Sequence, residues 1–132
     1  MTENTLREEI CAIAKSMFDR GLTRGSSGNI SVRLADGNFL LTPTNSCLGR
    51  IDPARISKID GGGKLLAGDS PSKESFLRLA MYQERPESTA VVHLHSLHAV
   101  AVSCLANHGP VAAGTPLSAA GYAIEELEQR HN

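Results

Sequence analysis

The chain has 132 residues, one domain's worth, with thirteen Lys and Arg against fourteen Asp and Glu and a formal net charge of −1. That balance excludes the basic footprint of a nucleic-acid-binding protein, and no apolar run approaches the ~20 residues of a membrane helix. The polar start, Met1-Thr2-Glu3-Asn4-Thr5, lacks the apolar core of a signal peptide. Three cysteines (Cys11, Cys47, Cys104) at wide, irregular spacing make no disulfide framework, and the expected home is a reducing cytoplasm.

Apolar residues at Leu6, Ile10, Ile13, Ala14, Met17 and Phe18 predict a helix over residues 5–18, stopped by Gly21. A polar loop, Gly25-Ser26-Ser27-Gly28-Asn29, follows. Ile30 and Val32 then alternate with Ser31 and Arg33 as in a half-buried strand. Asp36-Gly37 signals a hairpin whose return strand is Phe39-Leu40-Leu41, ending at Thr42-Pro43-Thr44-Asn45. Asp52-Pro53 has the form of an N-cap followed by proline at the first helical position. Ile56 and Ile59 predict a short strand, Gly61-Gly62-Gly63 a turn, and Leu65-Leu66 the partner strand. A second helix is expected from Ser72, burying Phe76, Leu77, Ala80 and Met81 and ending at Arg85-Pro86. Ala90-Val91-Val92 leads a strand into His93-Leu94-His95, Ser96 caps a small-residue helix over residues 97–104, and Thr115-Pro116 starts a last one. Helices interleaved with short hairpins indicate an α/β protein with a mixed or antiparallel sheet and no linker dividing it.

His93 and His95, two apart on a predicted strand, present both imidazoles on one face. With His108, in the turn Asn107-His108-Gly109-Pro110, they make a three-histidine set of the kind that holds a catalytic zinc with one position open. The competing reading is a pair of half-exposed strand histidines. Glu74, in the first turn of the helix from Ser72, is either a dipole-stabilised acidic residue or a general base that also reaches the metal. His98 and His131 stand outside the set, and no paired cysteines support Cys47 or Cys104 as ligands. Gly28-Asn29, Thr44-Asn45 and Ser72-Lys73 each offer backbone N–H groups and short donors for a phosphate, Ser72-Lys73 at a helix start with a formal positive charge. Such residues are common in any loop, so each segment alone is a weak signal.

Five ordered motifs, Gly25-Ser-Ser-Gly-Asn-Ile-Ser-Val-Arg33, Leu41-Thr-Pro-Thr44, Pro71-Ser-Lys-Glu74, His93-Leu-His95 and Asn107-His-Gly109, resemble the class II aldolase/adducin-type family over nearly the whole chain. The resemblance implies a three-layer α/β/α fold with a mainly antiparallel central sheet, a cytoplasmic homotetramer and one Zn2+ per subunit. It implies His93, His95 and His108 as metal ligands, and Glu74 as catalytic acid/base that can also occupy the metal. It places Gly28, Asn29, Thr44, Asn45, Ser72 and Lys73 at the substrate's phosphate and carboxylate.

Within the family, Ser72-Lys73-Glu74 and Thr44-Asn45-Ser46-Cys47-Leu48-Gly49-Arg50 resemble the branch that decarboxylates 3-oxo-tetronate 4-phosphate to dihydroxyacetone phosphate and CO2 through a metal-stabilised enediolate. Lys73 matches the extra charge of a sugar-acid phosphate. The alternatives are an aldolase cleaving a sugar phosphate such as L-fuculose 1-phosphate, and a non-catalytic adducin-like or degenerate module. The chain departs from the family in being short. A helix over residues 96–104 carries the chain ~13 Å from His95, and only Leu105, Ala106 and Asn107 then lead back to His108, at ~3.5 Å each. Residues 1–132 thus read as a single domain lacking a segment between 105 and 106 and the family's C-terminal tail.

Overall fold

A computed structural model of the chain describes residues 1–98 and Ala101. The chain divides into two units, Met1–Leu94 and His95–Asn132, and the fold described here is that of the first.

Helix α1 runs Glu3–Asp19, capped by the Thr2 hydroxyl, which accepts from the Thr5 N–H at 3.2 Å. It ends where Gly21 takes φ +73°, with the Gly21 and Leu22 N–H groups returned to Phe18 and Met17. Of its predicted apolar positions, Ile10 and Ala14 are buried, whereas Ile13 and Phe18 are exposed. Strands β1 (Asn29–Arg33) and β2 (Phe39–Leu41) form the predicted antiparallel hairpin. In its turn, Gly37 adopts φ +84° and the Asp36 carboxylate accepts from the Asn38 N–H. Asp52-Pro53 opens only a 3₁₀ turn, Pro53–Arg55, with the Asp52 carboxylate accepting from the Ala54 N–H. Strands β3 (Ser57–Ile59) and β4 (Leu65–Ala67) pair as expected. Helix α2 covers Ser75–Glu84, and β5 is Ala90–His93.

The five strands make one fully antiparallel sheet in the order β4-β3-β2-β1-β5. Side chains alternate between its faces. Ile30 and Leu40 turn toward α1, joining Ile10, Ala14, Leu34, Leu48 and Ile56. Phe39, Leu41, Ile59 and Val91 turn the other way, against Tyr82 of α2. The architecture is thus three-layered, with α1 and α2 on opposite faces. Leu40, fully buried at the sheet's centre, contributes about 2–3 kcal/mol by leaving water.

Three further expectations fail. Helix α2 begins at Ser75, not Ser72; Ser72 instead caps a turn, its hydroxyl accepting from the Glu74 N–H at 3.3 Å. Its inner face is Arg78 and Tyr82, four apart, while Phe76 is 72% exposed and Leu77 38%. The cause is that α2 packs on a partly polar stretch of sheet: Tyr82 bonds Ser31 and Arg78 bonds Asn29. Third, β5 stops at His93, so His95 lies beyond the strand that was to align it with His93.

Candidate functional site

Three of the expected site residues converge on the α2 side of the sheet. Asn29 opens β1 and His93 closes β5, and the antiparallel register sets them directly opposite one another. Glu74 comes to them from the N-cap position of α2. Its Oε2 accepts from Asn29 Nδ2 at 3.3 Å and lies 3.2 Å from His93 Nδ1. Asn29 Nδ2 is also 3.4 Å from that ring nitrogen.

Gly28 makes this approach possible. Its φ is +81°, and a Cβ there would stand 3.0 Å from the His93 carbonyl oxygen. Only glycine takes that conformation and that closeness together.

The fourth member of the cluster went unnoticed in the sequence. Arg78, one helical turn after Glu74, is 3% exposed. Its Nε donates to Asn29 Oδ1 at 2.7 Å; its Nη2 donates to Glu74 Oε2 at 3.2 Å and stands 2.5 Å from His93 Nδ1. Burial pushes its pKa down, opposed by the negative charge of Glu74, and a guanidinium stays charged regardless. The usable signal was the i, i+4 spacing of a carboxylate and an arginine; the apolar stripe assigned to Phe76 and Leu77 hid it.

The remaining anion-binding candidates adjoin this cluster. The Thr44 N–H donates to the Ser70 carbonyl at 3.0 Å, and Pro43 and Pro71 form an isolated antiparallel bridge. Thr44-Asn45 is thereby tied to the segment that leads into Ser72, Lys73 and Glu74. Asn45 holds φ +54°, a conformation asparagine tolerates better than most residues. Lys73 is exposed. Gly28-Asn29, Thr44-Asn45 and Ser72-Lys73 are therefore neighbours, although far apart in sequence.

His95 is exposed and opens the second unit, and His108 lies outside the described residues. Among the described residues no three His, Cys, Asp or Glu side chains gather as a metal-binding group. Cys11 and Cys47 are free thiols, and burial pushes the Cys11 pKa up; Cys104 is outside the described residues. What the described part offers a divalent ion is one carboxylate oxygen and one imidazole nitrogen 3.2 Å apart. That donor chemistry fits such an ion, with the Arg78 guanidinium standing at the same atoms.

Among the described residues no helix is long and apolar enough to cross a membrane. Residues 8–107 match the model of the class II aldolase and adducin N-terminal domain. The chain is 54% identical over 103 residues to 3-oxo-tetronate 4-phosphate decarboxylase of Escherichia coli K12, covering 78% of this chain and 49% of that one. It is 42% identical over 105 residues to L-fuculose phosphate aldolase of the same strain, covering 80% and 48%. The crystal structure of YgbL from Escherichia coli superimposes with a TM-score of 0.77 at 50% identity, over 82% of this chain and 52% of that one. The chain thus spans about half the length of the relatives it matches. On the extent of the family match and these identities, it belongs to the class II aldolase and adducin family.

Proposed function

We propose that this chain belongs to a metal-dependent carbon–carbon lyase that decarboxylates 3-oxo-tetronate 4-phosphate to dihydroxyacetone phosphate and CO2. The observation that carries the reading is the 54% identity to a decarboxylase of that name. The junction of Asn29, Glu74 and His93 on one face supports it.

In this reading His93, His95, His108 and Glu74 hold one Zn2+ per subunit of a cytoplasmic homotetramer. When bound, the ion supplies Lewis-acid stabilisation of negative charge developing on substrate oxygens. The chain's own residues do the rest. Gly28, Asn29, Thr44, Asn45, Ser72 and Lys73 bind the phosphate and carboxylate and so orient the breaking bond. Cleavage between C1 and C2 releases CO2 and leaves the electron pair in an enediolate across C2 and C3. Glu74, or a water it controls, returns a proton to C2, completing dihydroxyacetone phosphate. The Asn29 amide, donating to Glu74, holds that carboxylate in place.

The test offers purified protein, with Zn2+, 3-oxo-tetronate 4-phosphate and, separately, L-fuculose 1-phosphate, and follows dihydroxyacetone phosphate release. Faster turnover of the first supports the decarboxylase. Faster turnover of the second favours the aldolase, which the 42% identity to L-fuculose phosphate aldolase keeps as the second reading. Turnover of neither points to a non-catalytic adducin-like module. A Glu74→Gln protein with its zinc and its full rate would remove Glu74 from the proton transfer.

A further inference from the structure

The contacts of Arg78 carry a consequence for metal uptake. A guanidinium has no acceptor and does not lose its charge, so His93 Nδ1, 2.5 Å from Arg78 Nη2, accepts. Glu74 Oε2 accepts from the same nitrogen at 3.2 Å. The carboxylate oxygen and the ring nitrogen, 3.2 Å apart, are therefore two acceptors facing each other with no proton of their own between them. Such a pair repels unless a cation joins it, and the cation here is Arg78. A metal needs a ring-nitrogen lone pair directed at the ion, and the lone pair at Nδ1 is taken by Arg78.

We propose that Arg78 is the resident cation of this site, competing with a divalent metal ion for the Glu74–His93 donor pair and withdrawing from it when the ion binds. The proposal rests on reading Glu74 and His93 as ligands. Withdrawal need not detach the side chain, because its Nε is held separately by Asn29 Oδ1 at 2.7 Å. Keeping Arg78 in place lets the Glu74 carboxylate and the facing His93 ring nitrogen coexist before metal arrives; its cost is weaker metal binding.

The test is a Zn2+ titration of the full 132-residue chain against a chromogenic chelator, with no turnover involved. Arg78→Met is expected to bind zinc about tenfold or more tightly than wild type, because a like charge at contact distance is removed. Arg78→Lys, which keeps the charge, is expected to stay near wild type. An Arg78→Met protein that binds zinc no more tightly overturns the proposal, whether or not wild type binds measurably. His93→Gln separates the two failures. If it binds zinc as wild type does, the ligand reading itself falls; if it weakens binding while Arg78→Met does not tighten it, only the role of Arg78 falls. Should Arg78→Met not fold, the Arg78 Nε–H resonance of wild type is followed through the titration. A shift at saturation is expected, and an unmoved signal overturns the proposal.

Discussion

Asn29 and His93 stand opposite each other in the β1–β5 pairing, with the carboxamide 3.4 Å from the imidazole. Their closeness depends on the residue just before Asn29. Gly28→Ala forces a left-handed conformation on a residue with a Cβ, at about 1–2 kcal/mol, and presses that Cβ toward the His93 carbonyl oxygen at 3.0 Å. Urea unfolding is expected to show a loss at or above that range. A change within about 0.5 kcal/mol, the usual size for an indifferent surface position, would mean that the loop relaxes freely.

Leu40→Ala removes a fully buried side chain from the middle strand, where Ile30, Ala14 and Ile56 belong to the same cluster. The expected loss is about 2–5 kcal/mol, set by how far the surroundings collapse into the space. Equilibrium denaturation checks it, and a value below that range would place the stability of the unit on the α2 side.

The Tyr82 hydroxyl bonds the buried Ser31 hydroxyl at 2.9 Å, and burial pushes the tyrosine pKa up. Tyr82→Phe leaves the serine without this partner and is expected to cost about 1–2 kcal/mol. Adding Ser31→Ala is expected to recover part of that, since neither polar group is then left without its mate. Additive losses in the double variant would contradict the pairing.

Glu3 sets the expected acid sensitivity. Hydrogen bonds first from Lys58 and then from Arg7 hold its carboxyl below the ordinary carboxylate value. A group with a lowered folded pKa stabilises fully above its unfolded value, and that contribution disappears as pH falls through the folded value. Glu3→Gln is therefore expected to melt lower than wild type at neutral pH. The gap should close on acidification, once Glu3 is protonated in wild type. A gap that stays constant through the carboxylate range would remove the α1–β3 ion pair as its source.

The fold was legible where one force dominates. The apolar spacing of Ile10 and Ala14, the Asp36-Gly37 turn and the Gly61–Gly63 break are each sufficient locally, and α1, the β1–β2 hairpin and the β3–β4 pair follow. It was less legible where polar groups are buried by satisfying one another. A periodicity reading assigns arginine to solvent, so it turned α2 by about 150°, a little under half a turn at ~100° per residue, toward Phe76 and Leu77. The guanidinium of Arg78 goes inward only because Asn29, Glu74 and His93, from three separate places in the chain, meet it there. The same holds for the candidate site. Residue types in motif order named Asn29, Glu74 and His93, but the strand periodicity extended to His95 ran past the end of β5, and His108 lies outside the described residues.

The position of β5 in the sheet gives the site an order of assembly. Among the described residues β5 pairs with β1 alone, while β1 is flanked on both sides. Amide exchange is expected to reach the four residues of β5 before those of β1, because among the described strands β5 is held on one side and β1 on both, and fewer contacts lower the free energy of opening. Asn29 is thus carried by a part of the sheet that opens late, and His93 by one that opens early. Any ligand that spans the two residues acts as a clasp, and its grip is readable as slowed exchange in β5.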